Sequence, residues 1–99
     1  MPYALRDNVG RRFTISAPAR IGRDPGSDVV VQDGLASRTH ATVWVDQAGL
    51  HIRDEGSANG TIVNGVAVKS AVLRSGDQIV VGATLYGVEY SPDPAAPSP

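Results

Sequence analysis

The chain contains no cysteine, which excludes disulfides and thiolate metal sites outright. It carries a single lysine, Lys69, so its other basic residues are all arginine. Aromatic residues are scarce, at 5%. No apolar run approaches the roughly 20 residues that span a bilayer, and no membrane partner is expected. The N-terminus lacks a basic segment followed by an apolar stretch, so no secretory leader is expected either. The formal net charge is −1, which leaves no overall basic footprint for nucleic acid. A cysteine-free chain suits a reducing compartment, and a cytoplasmic location is the expectation.

What is present is enough for one folded unit. The 99 residues are 41% hydrophobic, within the range of a globular domain. The domain is expected over residues 1–90. The final segment, SPDPAAPSP, holds four prolines and no large apolar group. Residues 91–99 therefore read as an extended, solvated tail or linker.

Apolar and polar residues alternate along much of the chain. Phe13 and Ile15 flank Thr14; Ala41, Val43 and Val45 alternate with Thr42, Trp44 and Asp46; Leu50 and Ile52 alternate with His51 and Arg53. This period of two marks half-buried antiparallel strands. Val29–Val31 and Ile79–Val81 are unbroken apolar runs of the kind found at a sandwich core. Turn signals separate the runs at Asn8–Gly10, Pro25–Ser27, Asp33-Gly34, Gln47–Gly49, Asn59-Gly60, Asn64-Gly65 and Ser75–Asp77. No helical period persists, so the expected class is an all-β sandwich without substantial helix.

Three turn regions carry the chemistry. Arg23 follows Gly22, and its guanidinium can bind a phosphate through charge-assisted hydrogen bonds. A surface ion pair with Asp24 or Asp28 is the ordinary alternative. Ser37 offers a hydroxyl, and Arg38 beside it a second guanidinium; a plain Ser-initiated turn would also explain them. Asn59, Gly60 and Thr61 form the third element. The Asn59 amide provides both a donor and an acceptor, which suits a partner's main chain, although Asn-Gly is also a common turn. Asn64-Gly65 is best read as a hairpin turn.

His40 stands three residues after Ser37, a spacing that invites a hydrolase reading. No G-x-S-x-G elbow surrounds Ser37, and His40 is expected to fix the loop through backbone hydrogen bonds. His51 is expected to be exposed on a strand. Two histidines without a carboxylate pattern make no convincing metal site, and no metal or cofactor is expected.

The order Gly22-Arg23, Ser37 to His40, Asn59-Gly60-Thr61 and Asn64-Gly65 resembles the forkhead-associated (FHA) domain, a phosphothreonine-binding module. The resemblance covers roughly Ala19 to Tyr90. It implies a β-sandwich of about eleven mostly antiparallel strands with its binding loops at one end. By that resemblance Arg23, Ser37 and Arg38 bind phosphate, and Asn59 holds the peptide backbone. Gly22, His40, Gly60 and Thr61 shape the loops, and Leu35 belongs to the loop that sets specificity. A basic residue near Leu35's position in other members favours an acidic partner, so leucine predicts an apolar side chain three residues after the phosphothreonine. Ala58 departs from the pattern, because a hydroxyl often precedes the asparagine.

The implied function is recognition of phosphothreonine on a partner protein in Ser/Thr kinase signalling, by a monomer unless phosphate-dependent self-association occurs. A phosphate-independent scaffold or oligomerisation domain is the competing reading, and a small hydrolase using Ser37 and His40 a third. Retention of Arg23, Ser37 and Asn59 favours the first.

Overall fold

The computed structural model describes residues 3–90, and the proline-rich segment 91–99 lies outside the described residues. Eleven strands follow one another: β1 (Tyr3–Asp7), β2 (Arg12–Ile15), β3 (Ala19–Gly22), β4 (Val29–Val30), β5 (Ala41–Asp46), β6 (Gly49–Asp54), β7 (Thr61–Val63), β8 (Val66–Val68), β9 (Ser70–Leu73), β10 (Gln78–Val81) and β11 (Thr84–Tyr90). No helix occurs among the described residues.

The strands form two sheets. The larger runs β2-β1-β11-β10-β7-β8, the smaller β4-β3-β5-β6-β9. Every pairing is antiparallel except β3 with β4. Alternation along the strands fills the space between the sheets. Leu5, Ile21, Val43, Leu50, Ile52, Ile79 and Val81 are wholly buried there. Each such aliphatic side chain contributes about 1.5–3 kcal/mol on leaving water. Tyr86 is also buried in this core and meets Phe13 edge to face at 6.3 Å.

Register brings the loops of interest to one end. Ile21 pairs with Ala41, and Ala41 with Asp54. The end of β3, the start of β5 and the end of β6 therefore lie side by side. In the other sheet Val81 pairs with both Thr61 and Thr84, which puts the start of β7 and the β10–β11 turn at matching ends of their strands. The β7–β8 hairpin sits at the far end, where Asn64 (φ 49°) and Gly65 (φ 84°) supply the two positive φ angles of a tight turn.

His51 departs from the expectation of an exposed ring. It pairs directly across from Trp44 and stacks on it, with an interplanar angle of 3°. Its Nε2 also contacts the Asp46 carboxylate at 2.7 Å, and its side chain is only 19% exposed.

Candidate functional site

The end of β3 and the loop before β5 are stitched together by their backbones. The Arg23 N–H donates to the Ser37 carbonyl at 3.0 Å, and the Asp24 N–H to the Arg38 carbonyl at 3.2 Å. This approach needs glycine at position 22. A Cβ there would lie 1.9 Å from the Arg38 carbonyl oxygen, an impossible overlap with main chain. Arg23 and Arg38 thus project side by side, and with Asp24 and Pro25 they line one open hollow.

Both arginines are exposed, and neither has an ion pair or side-chain hydrogen bond among the described residues. The acids expected to compete for Arg23 are occupied by backbone. Asp24 accepts from the Gly26 N–H at 2.9 Å, and Asp28 from the Arg20 N–H at 2.9 Å. Two guanidinium groups on one hollow, without a partner among the described residues, are chemically able to pair with an anion that carries several oxygens.

His40 joins this loop to the next. It is wholly buried. Its Nδ1 accepts from the Ser37 backbone N–H at 3.1 Å, so its Nε2–H donates to the Gly60 carbonyl at 2.8 Å. Both ring nitrogens are committed to backbone, and neither addresses the Ser37 hydroxyl. That hydroxyl accepts from the Ala58 N–H at 2.9 Å, which leaves its own proton free to donate. An activated nucleophile needs a base on its hydroxyl, and His40 is turned elsewhere.

The β6–β7 loop is held by Asp54. Its carboxylate accepts from the N–H groups of Gly56 (3.0 Å) and Ser57 (3.1 Å), from the Ser57 hydroxyl, and from the buried Thr61 hydroxyl at 2.8 Å. Burial pushes the Asp54 carboxyl up, but these donors outweigh it and the net shift is downward from 3.8. The loop so fixed presents Asn59, which is exposed. The Asn59 Nδ2 donates to the Leu35 carbonyl at 2.7 Å, which leaves its Oδ1 and second N–H for a ligand.

Leu35 is 56% exposed beside these groups. Its N–H donates to the Asp33 carboxylate at 2.9 Å. The sequence marks Asp33-Gly34 as a turn but singles out neither Asp33 nor Asp54 for a role. The D-E-G and D-G runs were the available signal, since aspartate before glycine commonly caps its own turn. Within the described residues no group of three or more potential metal ligands is found, and no helix is long and apolar enough to cross a membrane.

Comparison with known proteins places these loops in context. The family model described as the FHA domain matches residues 19–82. The chain is 48% identical over 63 residues to the ABC transporter ATP-binding/permease protein Rv1747 of Mycobacterium tuberculosis, a match spanning 64% of this chain and 7% of that protein. It is 41% identical over 76 residues to the glycogen accumulation regulator GarA of Mycolicibacterium smegmatis, covering 76% of this chain and 48% of the relative. The chain therefore spans about half, or far less, of the length of these curated relatives. A solved structure described for phosphothreonine-dependent FHA domain interactions superposes with a TM-score of 0.88 at 27% identity, over 93% of this chain and 99% of that one.

Proposed function

This chain belongs to the FHA domain family, and we propose that it is a phosphothreonine-reading module that docks a phosphorylated partner protein in Ser/Thr kinase signalling. The observation that carries the reading is the hollow at Arg23 and Arg38, whose guanidinium groups have no partner within the described residues. A phosphoryl group carries about −1.5 to −2 charges at neutral pH and three acceptor oxygens. Arg23 and Arg38 supply the positive charge, and the free proton of Ser37 supplies a short neutral donor. The Asn59 Oδ1 and remaining N–H meet the N–H and C=O of the ligand's main chain. The phosphothreonine-dependent interactions described for the structural relative support the same assignment.

The domain binds and does not catalyse. The Ser37 hydroxyl has a backbone N–H on it rather than a base, and His40 is consumed by two backbone groups. A signalling reader must release its partner, which fits micromolar affinity, about −8 kcal/mol. Leu35 favours an apolar side chain three residues after the phosphothreonine. The cytoplasm, where ATP-dependent kinases write the mark, is the location consistent with this role.

The test is calorimetry or fluorescence polarisation with a degenerate phosphothreonine peptide pool, beside matched phosphoserine and unphosphorylated pools, on the wild type and Arg23→Ala. Binding of the phosphothreonine pool alone, lost in the variant, is the expected result. Equal binding of the unphosphorylated pool would move the assignment to a phosphate-independent scaffold.

A further inference from the structure

Leu35 is gripped on both sides of its own backbone. Its carbonyl accepts from Asn59 and its N–H donates to Asp33 Oδ1. The other Asp33 oxygen reaches a distant part of the chain. Oδ2 accepts from the Ala83 N–H at 2.6 Å and from the Thr84 hydroxyl at 3.0 Å, across 50 and 51 residues. The Asp33 carbonyl takes the Ala36 N–H at 3.0 Å. One carboxylate thus ties the β4–β5 loop to the β10–β11 turn, using both oxygens as acceptors.

The seat for this loop is a glycine. Gly82 has φ +64°, and a Cβ there would stand 2.7 Å from the Ala36 nitrogen, 3.0 Å from Asp33 Oδ2 and 3.0 Å from the Leu35 carbonyl carbon. Any side chain at position 82 must lift the Leu35 segment off the β10–β11 turn. Asp33 itself does not line the arginine hollow.

We propose that Asp33, seated on Gly82, is a positioning residue that sets which ligand side chain Leu35 selects, separately from the grip on phosphate. The proposal rests on the phosphothreonine reading. A fixed apolar surface discriminates between ligand side chains, whereas a mobile one re-packs around whatever is offered. The Asp33 carboxylate adds a like charge that disfavours an acidic ligand residue at the same place.

Three phosphothreonine peptides test it: one with leucine three residues after the mark, one with aspartate there, and one ending before that position. The wild type is expected to prefer leucine over aspartate by about tenfold, a modest difference of affinities. In Asp33→Asn the amide turns a donor toward the Ala83 N–H, or, if flipped, toward the Leu35 N–H, so one link is lost either way. The leucine preference should fall to about threefold or less, while the truncated peptide, which reads the grip on phosphate and adjacent main chain without the third residue, changes less than about twofold. Gly82→Ala should lower the same ratio. Hydrogen exchange of the ligand-free domain should show the Leu35 amide quickened in both variants, with the Ile52 amide still protected.

An unchanged leucine-to-aspartate ratio in Asp33→Asn, or equal losses for all three peptides, overturns the proposal. A wild type that binds the truncated peptide but ignores the third residue overturns it too, and leaves the phosphate reader standing. A wild type that binds none of the three removes the phosphothreonine reading and this proposal with it.

Discussion

The Ser37 hydroxyl accepts the Ala58 backbone N–H at 2.9 Å, 21 residues along the chain. The β4–β5 loop, which carries Arg38 of the arginine hollow, is thereby tied to the β6–β7 loop. The contact also decides what each residue can offer a phosphate. Ser37 retains its proton as a donor, whereas Ala58 has spent its N–H and has no side-chain hydroxyl. Ala58→Ser would restore a donor at an exposed position without disturbing the backbone bond. The expected gain is about 1 kcal/mol, or roughly fivefold in phosphopeptide affinity. Titration of one phosphothreonine peptide against both proteins measures it, and no gain would mean that position 58 does not face the phosphate.

Arg23 and Arg38 make a prediction that separates binding from folding. Among the described residues neither side chain has a partner to lose. Alanine at either position should leave unfolding free energy within about 0.5 kcal/mol of the wild type, as for ordinary surface positions. Each should nevertheless weaken phosphopeptide binding by about 1.5–3 kcal/mol, the range for a hydrogen bond to a charged group. Urea denaturation beside peptide titration resolves the two quantities. A large loss of stability in Arg23→Ala would show that the arginine serves the fold.

The sheets and the loop residues could be anticipated from sequence because their signals are local. Phe13 to Ile15 and Leu50 to Ile52 alternate, and Asn64-Gly65 closes a hairpin with the φ angles that dipeptide favours. Gly22-Arg23, Ser37 and Asn59 stood out by type and order. What escaped is long-range. Asp33 earns its role from Ala83 and Thr84, about half the chain away, and no local pattern announces such a bond. His51 was expected in solvent because nothing near it in sequence covers it. Its cover is Trp44, delivered by the register of β5 against β6.

Gly22 and His40 should behave as joints rather than contacts. Gly22→Ala forces a methyl into the Arg38 carbonyl. The neighbour is backbone and cannot rotate aside, so the strain should reach at least the 1–3 kcal/mol, about, of ordinary overpacking. His40→Phe keeps the buried volume approximately but strands the Ser37 N–H and the Gly60 carbonyl, at about 1–3 kcal/mol for each unsatisfied group. Both variants should show lowered melting temperatures together with weakened phosphopeptide binding. His40→Phe with unaltered stability would contradict the bridging role.

Binding and folding should respond to acid in different pH windows. The Asp33 carboxyl lies below its ordinary 3.8, chiefly through the backbone N–H groups of Leu35 and Ala83. Asp54 is also lowered, its hydrogen-bond donors prevailing over burial. A folded-state pKa below the unfolded value contributes stability that is present above the unfolded pKa. That stability is lost as pH falls through the folded pKa, hence below about 4. Thermal melts should therefore show the full contribution of these groups, with little change, between pH 7 and 5 and a decline beneath about 4, blunted in Asp54→Asn. The phosphate acts earlier. Its second proton binds near pH 6, so the ligand loses charge below about 6 while these two carboxylates stay ionised. Peptide affinity should hold from pH 8 to 7 and weaken by pH 5, with the arginines charged throughout. Calorimetry at pH 7.5 and 5.0 with a phosphothreonine peptide tests this directly, and an affinity constant across that range would mean that the second phosphate charge is not what Arg23 and Arg38 recognise.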